Sequence, residues 1–399
     1  MKYNFDEPTD RRGSNSYKWD SDPAHTELLP MWVADMDFRT APCIIEALRR
    51  RVNHGIFGYC RVPDEFYEAT IDWMLRRHGL KIRKDWIIYT SGVVPAVSAI
   101  IKALTRPGDK VLVQTPVYNC FFSSIRNNEC EIEESPLVYR DSTYSIDFTN
   151  LEKHLSDPDV KLMLLCNPHN PAGRVWTKEE LTKIGQLCIR HGVTVVSDEI
   201  HCELTYKGHD YKPFASISPK FADHSVTCLS PSKAFNIAGL QIANIVCKDS
   251  LMRGKIDKAI NINEVCDVNP FGVDALIAAY TQGGEWLDEL RLYIWDNYIA
   301  LSEFMSKELP EIKVTKLEGT YLVWLDCRIL GISSEKIKSL LLDKEQLWLT
   351  EGTLYGKAGE GFMRMNIACQ RQRLTEGLIR LRSVLKPLLQ SSGLSSGKA

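Results

Sequence analysis

The chain has 399 residues, 44% hydrophobic and 25% charged, with 49 basic against 51 acidic side chains and a net charge of −2. That length supports a large core and two domains, and the near-neutral balance gives no footing to nucleic acid or an anionic membrane as partner. The twelve cysteines are scattered without a C-x-x-C pair, so no metal site is expected, and no apolar stretch approaches the roughly 20 residues of a membrane span.

The first ten residues are polar and charged and lack the apolar run of a secretory signal. Cys166 and Cys228 lie in apolar runs and read as small core residues. A reducing cytoplasm is the expected setting. Six short runs rich in β-branched residues come next, at 86–90, 110–114, 161–166, 193–197, 225–229 and 242–247. They are continuous rather than alternating, which suits strands covered on both faces. Between them lies a helix over 177–191: Thr177 and Glu180 have the spacing of a capping box, and Gly192 is a stop. Strand, helix, strand in succession implies a parallel α/β sheet. Beyond about residue 290 the pattern changes to α+β. A long helix is expected over 286–309, then a hairpin of 312–317 and 320–325 around Glu318-Gly319. A strand at 364–368 and a helix over 374–388 close the chain, before a Ser/Gly-rich tail expected to be disordered.

The candidate chemistry sits where an α/β sheet presents its ligand, at the carboxyl ends of strands. Thr90-Ser91-Gly92-Val93-Val94 is a strand end running into a helix start, where free N–H groups favour a phosphate; an ordinary turn is the alternative. Asn167-Pro168-His169-Asn170-Pro171 forms a stiff turn able to aim an amide at a ligand, or a purely structural loop. Asp198, at the mouth of a buried strand, needs a partner such as a protonated pyridine nitrogen, unless it caps the next helix. Ser230-Pro231-Ser232-Lys233 delivers two hydroxyls and a lysine, and burial converts a lysine to a nucleophile. Arg364, within an apolar run, calls for an anion, either a substrate carboxylate or an internal salt bridge.

The order S-G-V-V-P, N-P-H-N-P-A-G, S-D-E-I-H and S-P-S-K-A-F resembles the class I/II aminotransferase superfamily of pyridoxal 5′-phosphate (PLP) enzymes, fold type I. L-P-M-W-V-A-D-M-D-F at residue 29 and F-G-Y at residue 57 are similar to its MalY/PatB branch. The resemblance implies an α/β fold with a mostly parallel seven-stranded sheet between helices, plus a smaller α+β domain. It implies an N-terminal segment (1–45) packing with the small domain, a large PLP-binding domain (46–290), a small domain (291–388) and a tail (389–399). Carried over by motif, Lys233 forms the Schiff base with PLP, Asp198 pairs with the ring nitrogen, and Asn170 bonds the ring hydroxyl. His201 stands where relatives place a Tyr. Tyr118 stacks on the ring, and Val93, Val94, Ser230 and Ser232 hold the phosphate. Arg364 takes the substrate carboxylate and Ala34 lies over the substrate. Tyr59 reaches the phosphate of a neighbouring subunit, so a homodimer is implied. A phosphate-binding Arg usual in aspartate aminotransferases is Gln241 here.

The expected reaction begins with removal of a Cα proton by Lys233. The motifs leave the fate of the resulting electron pair open. The MalY/PatB resemblance favours β-elimination at a C–S bond of L-cystathionine or cysteine-type substrates. Transamination to a 2-oxo acid is the alternative, and a non-enzymatic regulator on the same fold is the reading from another class.

Overall fold

Seven short strands from the middle of the chain form one sheet in the computed structural model, which describes residues 2–22, 24–25, 27–262 and 268–391. They are β1 (Ile87–Thr90), β2 (Lys110–Val113), β3 (Glu131–Glu134), β4 (Val160–Cys166), β5 (Thr194–Asp198), β6 (Ser225–Leu229) and β7 (Ala243–Cys247). Their order across the sheet is β1-β7-β6-β5-β4-β2-β3. All pairings are parallel except those of β7, which runs antiparallel to both its neighbours. The six strands read from the sequence are present, with ends moved by a residue or so. β3 was not legible: it reads Glu-Ile-Glu-Glu, lies at an edge and stays half exposed, so it carries no apolar signal.

The strands are apolar on both faces because helices cover both. Val111 and Val113 join one cluster with Leu162, Leu164 and Ile245. Leu112 points the other way and joins Met163, Leu165 and Val195. This is the two-residue alternation of a strand, hidden in sequence because both faces are buried. The helix Lys178–Arg190 lies on the second face and carries both capping-box bonds: Glu180 N donates to Thr177 Oγ1 at 3.1 Å and Thr177 N donates to Glu180 Oε2 at 2.8 Å.

A second, antiparallel sheet holds Lys313–Val314, Leu322–Asp326, Phe362–Asn366 and Thr350–Glu351, in that order. Helices Ser334–Glu345 and Arg371–Ser391 accompany it, preceded by the long helix Gly284–Glu308. The N-terminal chain joins here too, since Leu29–Pro30 pairs in parallel with Leu347–Trp348. The last helix runs to residue 391, into the stretch expected as a disordered tail; residues 392–399 lie outside those described.

The expected tight hairpin around Glu318-Gly319 is replaced by a wide connection. Only Lys313–Val314 pairs with Leu325–Asp326. Glu318 N and Gly319 N instead donate to Gly173 O at 2.9 and 3.0 Å, and the Glu318 carboxylate accepts from Val175 N at 2.9 Å. The connection is therefore spent on docking the second sheet against the turn after β4. Gly319 fits there because a Cβ would lie 3.0–3.1 Å from Val175, Leu204 O and Pro168.

Candidate active site

The carboxyl ends of β1, β4, β5 and β6 share one edge of the sheet, because β7 alone is reversed. Four sequence clusters that are far apart in the chain are thereby brought together. Arg364 and the segment 32–38 approach from the second sheet.

Lys233 follows β6. Burial lowers its pKa, helped by Arg364 and opposed by Asp35 and Asp198. Its Nζ donates to the Ala34 carbonyl at 2.7 Å. Asp198 ends β5 and is 3% exposed. Its Oδ1 accepts from Ile200 N at 3.1 Å, and it forms no ion pair among the described residues. Burial pushes its carboxyl up to about 7. The next carboxylate, Glu199, is also buried, yet it is bonded by Ser197 Oγ, Tyr211 and Phe214 N. Asp198 is thus the carboxylate at the strand end that still lacks a cation, and a positively charged ring nitrogen relieves that cost.

Arg364 is 5% exposed. Its Nη1 donates to Asn170 Oδ1 at 3.1 Å and its Nη2 to Trp32 O at 2.6 Å. Its Nε is buried without a partner, and the guanidinium lies over the Tyr355 ring at 4.9 Å. No carboxylate of the chain neutralises it among the described residues, so the internal salt bridge held open in the sequence is absent there. His201 is buried with Nδ1 unpartnered. Burial, with Lys233 and Arg364 adding to it, pushes its pKa down to about 3, which keeps the imidazole neutral.

Val93 and Val94 open the helix Val93–Leu104 behind Gly92, so their N–H groups have no carbonyl of their own helix to meet. Ser230 Oγ donates to Ile242 O at 2.6 Å and accepts from Ser232 N at 3.1 Å. Its proton is committed to the loop, whereas Ser232 is buried beside it. Tyr118 sits near Cys120 and Asp198; burial, with both of them adding to it, raises its hydroxyl pKa. Gln241 is exposed with a left-handed φ of 52°. Tyr59 is 95% exposed on a bare stretch at 55–59 and is not part of this buried cluster.

Several participants carried no sequence signal. Tyr321 donates to Ala34 O at 2.9 Å, Thr350 to Trp32 O at 3.1 Å, and Asn366 to Val33 O and Asp35 O at 2.6 Å each. None stands in a turn motif; their function depends on what crosses in front of them.

The Asp198 environment makes a pH-dependent prediction. Its folded pKa is raised above 3.8 to about 7, so folding favours the protonated carboxyl. That contribution is complete below 3.8 and is lost as pH rises through about 7. Asp198→Asn mimics the protonated form. In cofactor-free protein it should raise the thermal midpoint relative to wild type at about pH 8, with the margin shrinking toward about pH 5. A margin that does not change with pH would argue against the buried, unpaired carboxylate.

Comparison with known proteins places this geometry in a family. Residues 26–381 match the family model described as aminotransferase class I and II. Cystathionine beta-lyase PatB of Bacillus subtilis is 48% identical over 96% of this chain and 100% of that one. Protein MalY of Escherichia coli is 36% identical over 96% of this chain and 99% of its own. The crystal structure of cystalysin from Treponema denticola, which contains a pyridoxal 5′-phosphate cofactor, matches with a TM-score of 0.94 and 38% identity, covering 97% and 100% of the two chains. With the sheet, the buried lysine and the strand-end carboxylate already in place, these matches establish that the chain belongs to the class I and II aminotransferase family, in the branch of PatB and MalY.

Proposed function

We propose that this chain is a PLP-dependent carbon–sulfur β-lyase that cleaves L-cystathionine or a related cysteine-type amino acid to a thiol, pyruvate and ammonia. The observation that carries the reaction type is the 48% identity with PatB across the full length of that chain. The cofactor reading is supported by a buried carboxylate without a cation, a buried lysine and a helix start, gathered at one sheet edge.

When bound, PLP supplies a carbonyl that takes up the substrate amino group and a ring that delocalises the electron pair left at Cα. The chain does the rest. Asp198 holds the ring nitrogen protonated. Asn170 has its Oδ1 engaged by Arg364, which leaves its amide N–H groups for the ring oxygen. Val93 and Val94 N–H and the Ser232 hydroxyl would hold the phosphate, while Ser230 fixes the loop that carries Ser232 and would reach the phosphate only by releasing Ile242 O. Tyr118 would pack on the ring, and neutral His201 would lie near its hydroxyl. Arg364 grips the substrate carboxylate with a fork whose Nε has no other partner. Lys233, with its pKa lowered by burial, offers a free amine that takes the Cα proton. With that proton removed, the Cβ–S bond would break and the thiolate leave, and water would hydrolyse the remaining three-carbon enamine to pyruvate and ammonia.

We assign residues 46–290 to the cofactor-binding unit and 291–388, with the N-terminal segment, to the smaller unit. All eleven described cysteines are free thiols, in keeping with a cytoplasmic setting, and no described helix is long and apolar enough to cross a membrane.

The purified protein offered L-cystathionine should release pyruvate and ammonia in equal amounts, and form no glutamate when 2-oxoglutarate is added. Glutamate without pyruvate would move the chain to amino transfer. We also propose a homodimer, in which Tyr59 completes the partner's phosphate site. Ile56, Phe57 and Tyr59 are 67%, 58% and 95% exposed, a run of large apolar side chains that one subunit leaves uncovered. Light scattering should give about twice the 45.4 kDa chain mass, and a monomer at assay concentration would remove the proposal.

A further inference from the structure

Residues 32–38 cross the site as a strap, and every one of its carbonyls accepts a hydrogen bond from a side chain. Five of them, from Val33, Asp35, Met36, Asp37 and Phe38, are held by residues with no part in the chemistry proposed above, chiefly Asn366, Asn236 and Gln370. The other two are held by the residues that chemistry needs. Trp32 O accepts from Arg364 Nη2 at 2.6 Å, and Ala34 O accepts from Lys233 Nζ at 2.7 Å.

This sets up a conflict. Lys233 and Arg364 must serve the cofactor and the substrate, yet Trp32 and Ala34 are half-buried, and a carbonyl withdrawn from water and left without a donor costs about 1–3 kcal/mol. The structure meets the conflict at both positions in the same way. Ala34 O accepts a second bond, from the Tyr321 hydroxyl at 2.9 Å, and Trp32 O accepts a second, from Thr350 Oγ1 at 3.1 Å. Tyr321 is fully buried, with its ring against His201. Thr350 pairs in register with Arg364 across the second sheet, so it reaches the same carbonyl from the neighbouring strand.

We propose that Tyr321 and Thr350 are positioning residues that keep the strap bonded when Lys233 turns from Ala34 to the cofactor and Arg364 turns from Trp32 to the substrate carboxylate. This rests on the cofactor and substrate reading above. Tyr321 lowers the cost of cofactor attachment and Thr350 lowers the cost of substrate binding. The two effects are separable because each hydroxyl backs a different donor.

The test compares Tyr321→Phe and Thr350→Val holoenzymes with wild type. Equilibrium dialysis, followed by the visible absorbance of bound PLP, reads cofactor affinity; steady-state pyruvate release reads KM and kcat. Tyr321→Phe should weaken PLP about tenfold, the ratio that corresponds to one carbonyl left with no donor, without raising KM. Thr350→Val should raise KM by a similar factor of about ten, with kcat and PLP affinity close to wild type. Thr350→Ser, which keeps the hydroxyl, should restore KM. Equal changes of PLP affinity and KM in both variants, or no change in either, would overturn the proposal. A general loss of stability moves both readouts together and so cannot mimic the crossed pattern. If Tyr321→Phe does not accumulate, the Val and Ser variants at 350 decide the matter. A wild-type protein that binds no PLP would instead overturn the cofactor reading itself.

Discussion

Lys233→Ala is expected to lower kcat by about 10²–10⁴-fold, the span that a positioned proton-transfer group contributes. Two functions disappear with one amine. The side chain proposed to anchor PLP is gone, and so is the proposed base for the Cα proton. The environment shows why no neighbour takes over. Tyr118 has its hydroxyl pKa raised by burial, so it surrenders no proton near neutral pH. His201 is neutral with its pKa pushed down to about 3, which makes it a weak base. Borohydride treatment gives an independent check. It should fix PLP covalently to wild type and not to the variant, as read by mass spectrometry. Covalent fixation at another lysine would falsify the assignment of Lys233.

The second large effect is expected at Arg364. Arg364→Ala should lower kcat/KM by about 10²–10³-fold, mostly through KM, because a buried charged partner of the substrate carboxylate is removed. Arg364→Lys should recover little of the loss, since an ammonium cannot reproduce a planar fork. The structure also implies a cost unrelated to substrate. Arg364 bonds Asn170 Oδ1 and Trp32 O and lies over Tyr355, so its loss frees the Asn170 amide to rotate. PLP affinity is therefore expected to fall as well, by less than KM rises. A variant with wild-type KM would show that the carboxylate binds elsewhere.

The two replacements differ in kind. Lys233 is valued for a lowered pKa, which burial creates with help from Arg364 and against the pull of Asp35 and Asp198. Arg364 is valued for geometry and permanent charge, which no environment needs to tune. Both also brace the strap at 32–38, so the groups proposed for the chemistry are at the same time part of the fold.

Much of this was legible in the chain. The six apolar runs of the main sheet gave their own positions, because a strand buried on both faces needs continuous apolar residues. Thr177 and Glu180 gave the start of a helix, since that cap is a local matter of four residues. Lys233, Asp198, Asn170 and Arg364 announced themselves as polar side chains at the ends of apolar runs or within one. The physics there is local: a charge beside a buried strand demands a partner.

Other features depended on contacts between distant residues. β3 is a strand only because β2 offers it a ladder; its own Glu-Ile-Glu-Glu would suit a loop. Glu318-Gly319 has the composition of a tight turn, yet Gly173 and Val175 draw it into an interface. Asp198 and Glu199 are adjacent and equally buried, and only the tertiary partners Tyr211 and Phe214 decide that Glu199 is satisfied while Asp198 is free for a ligand. Tyr321 and Thr350 carry no motif at all. Their hydroxyls matter because a segment some 300 positions earlier in the chain lays its carbonyls across them. Sequence alone determined which residues must be buried and which buried charges need a partner, since those follow from the transfer of each side chain out of water. Which partner each one finds was decided by the tertiary structure, because a hydrogen bond depends on a distance of a few tenths of an ångström that no local pattern encodes.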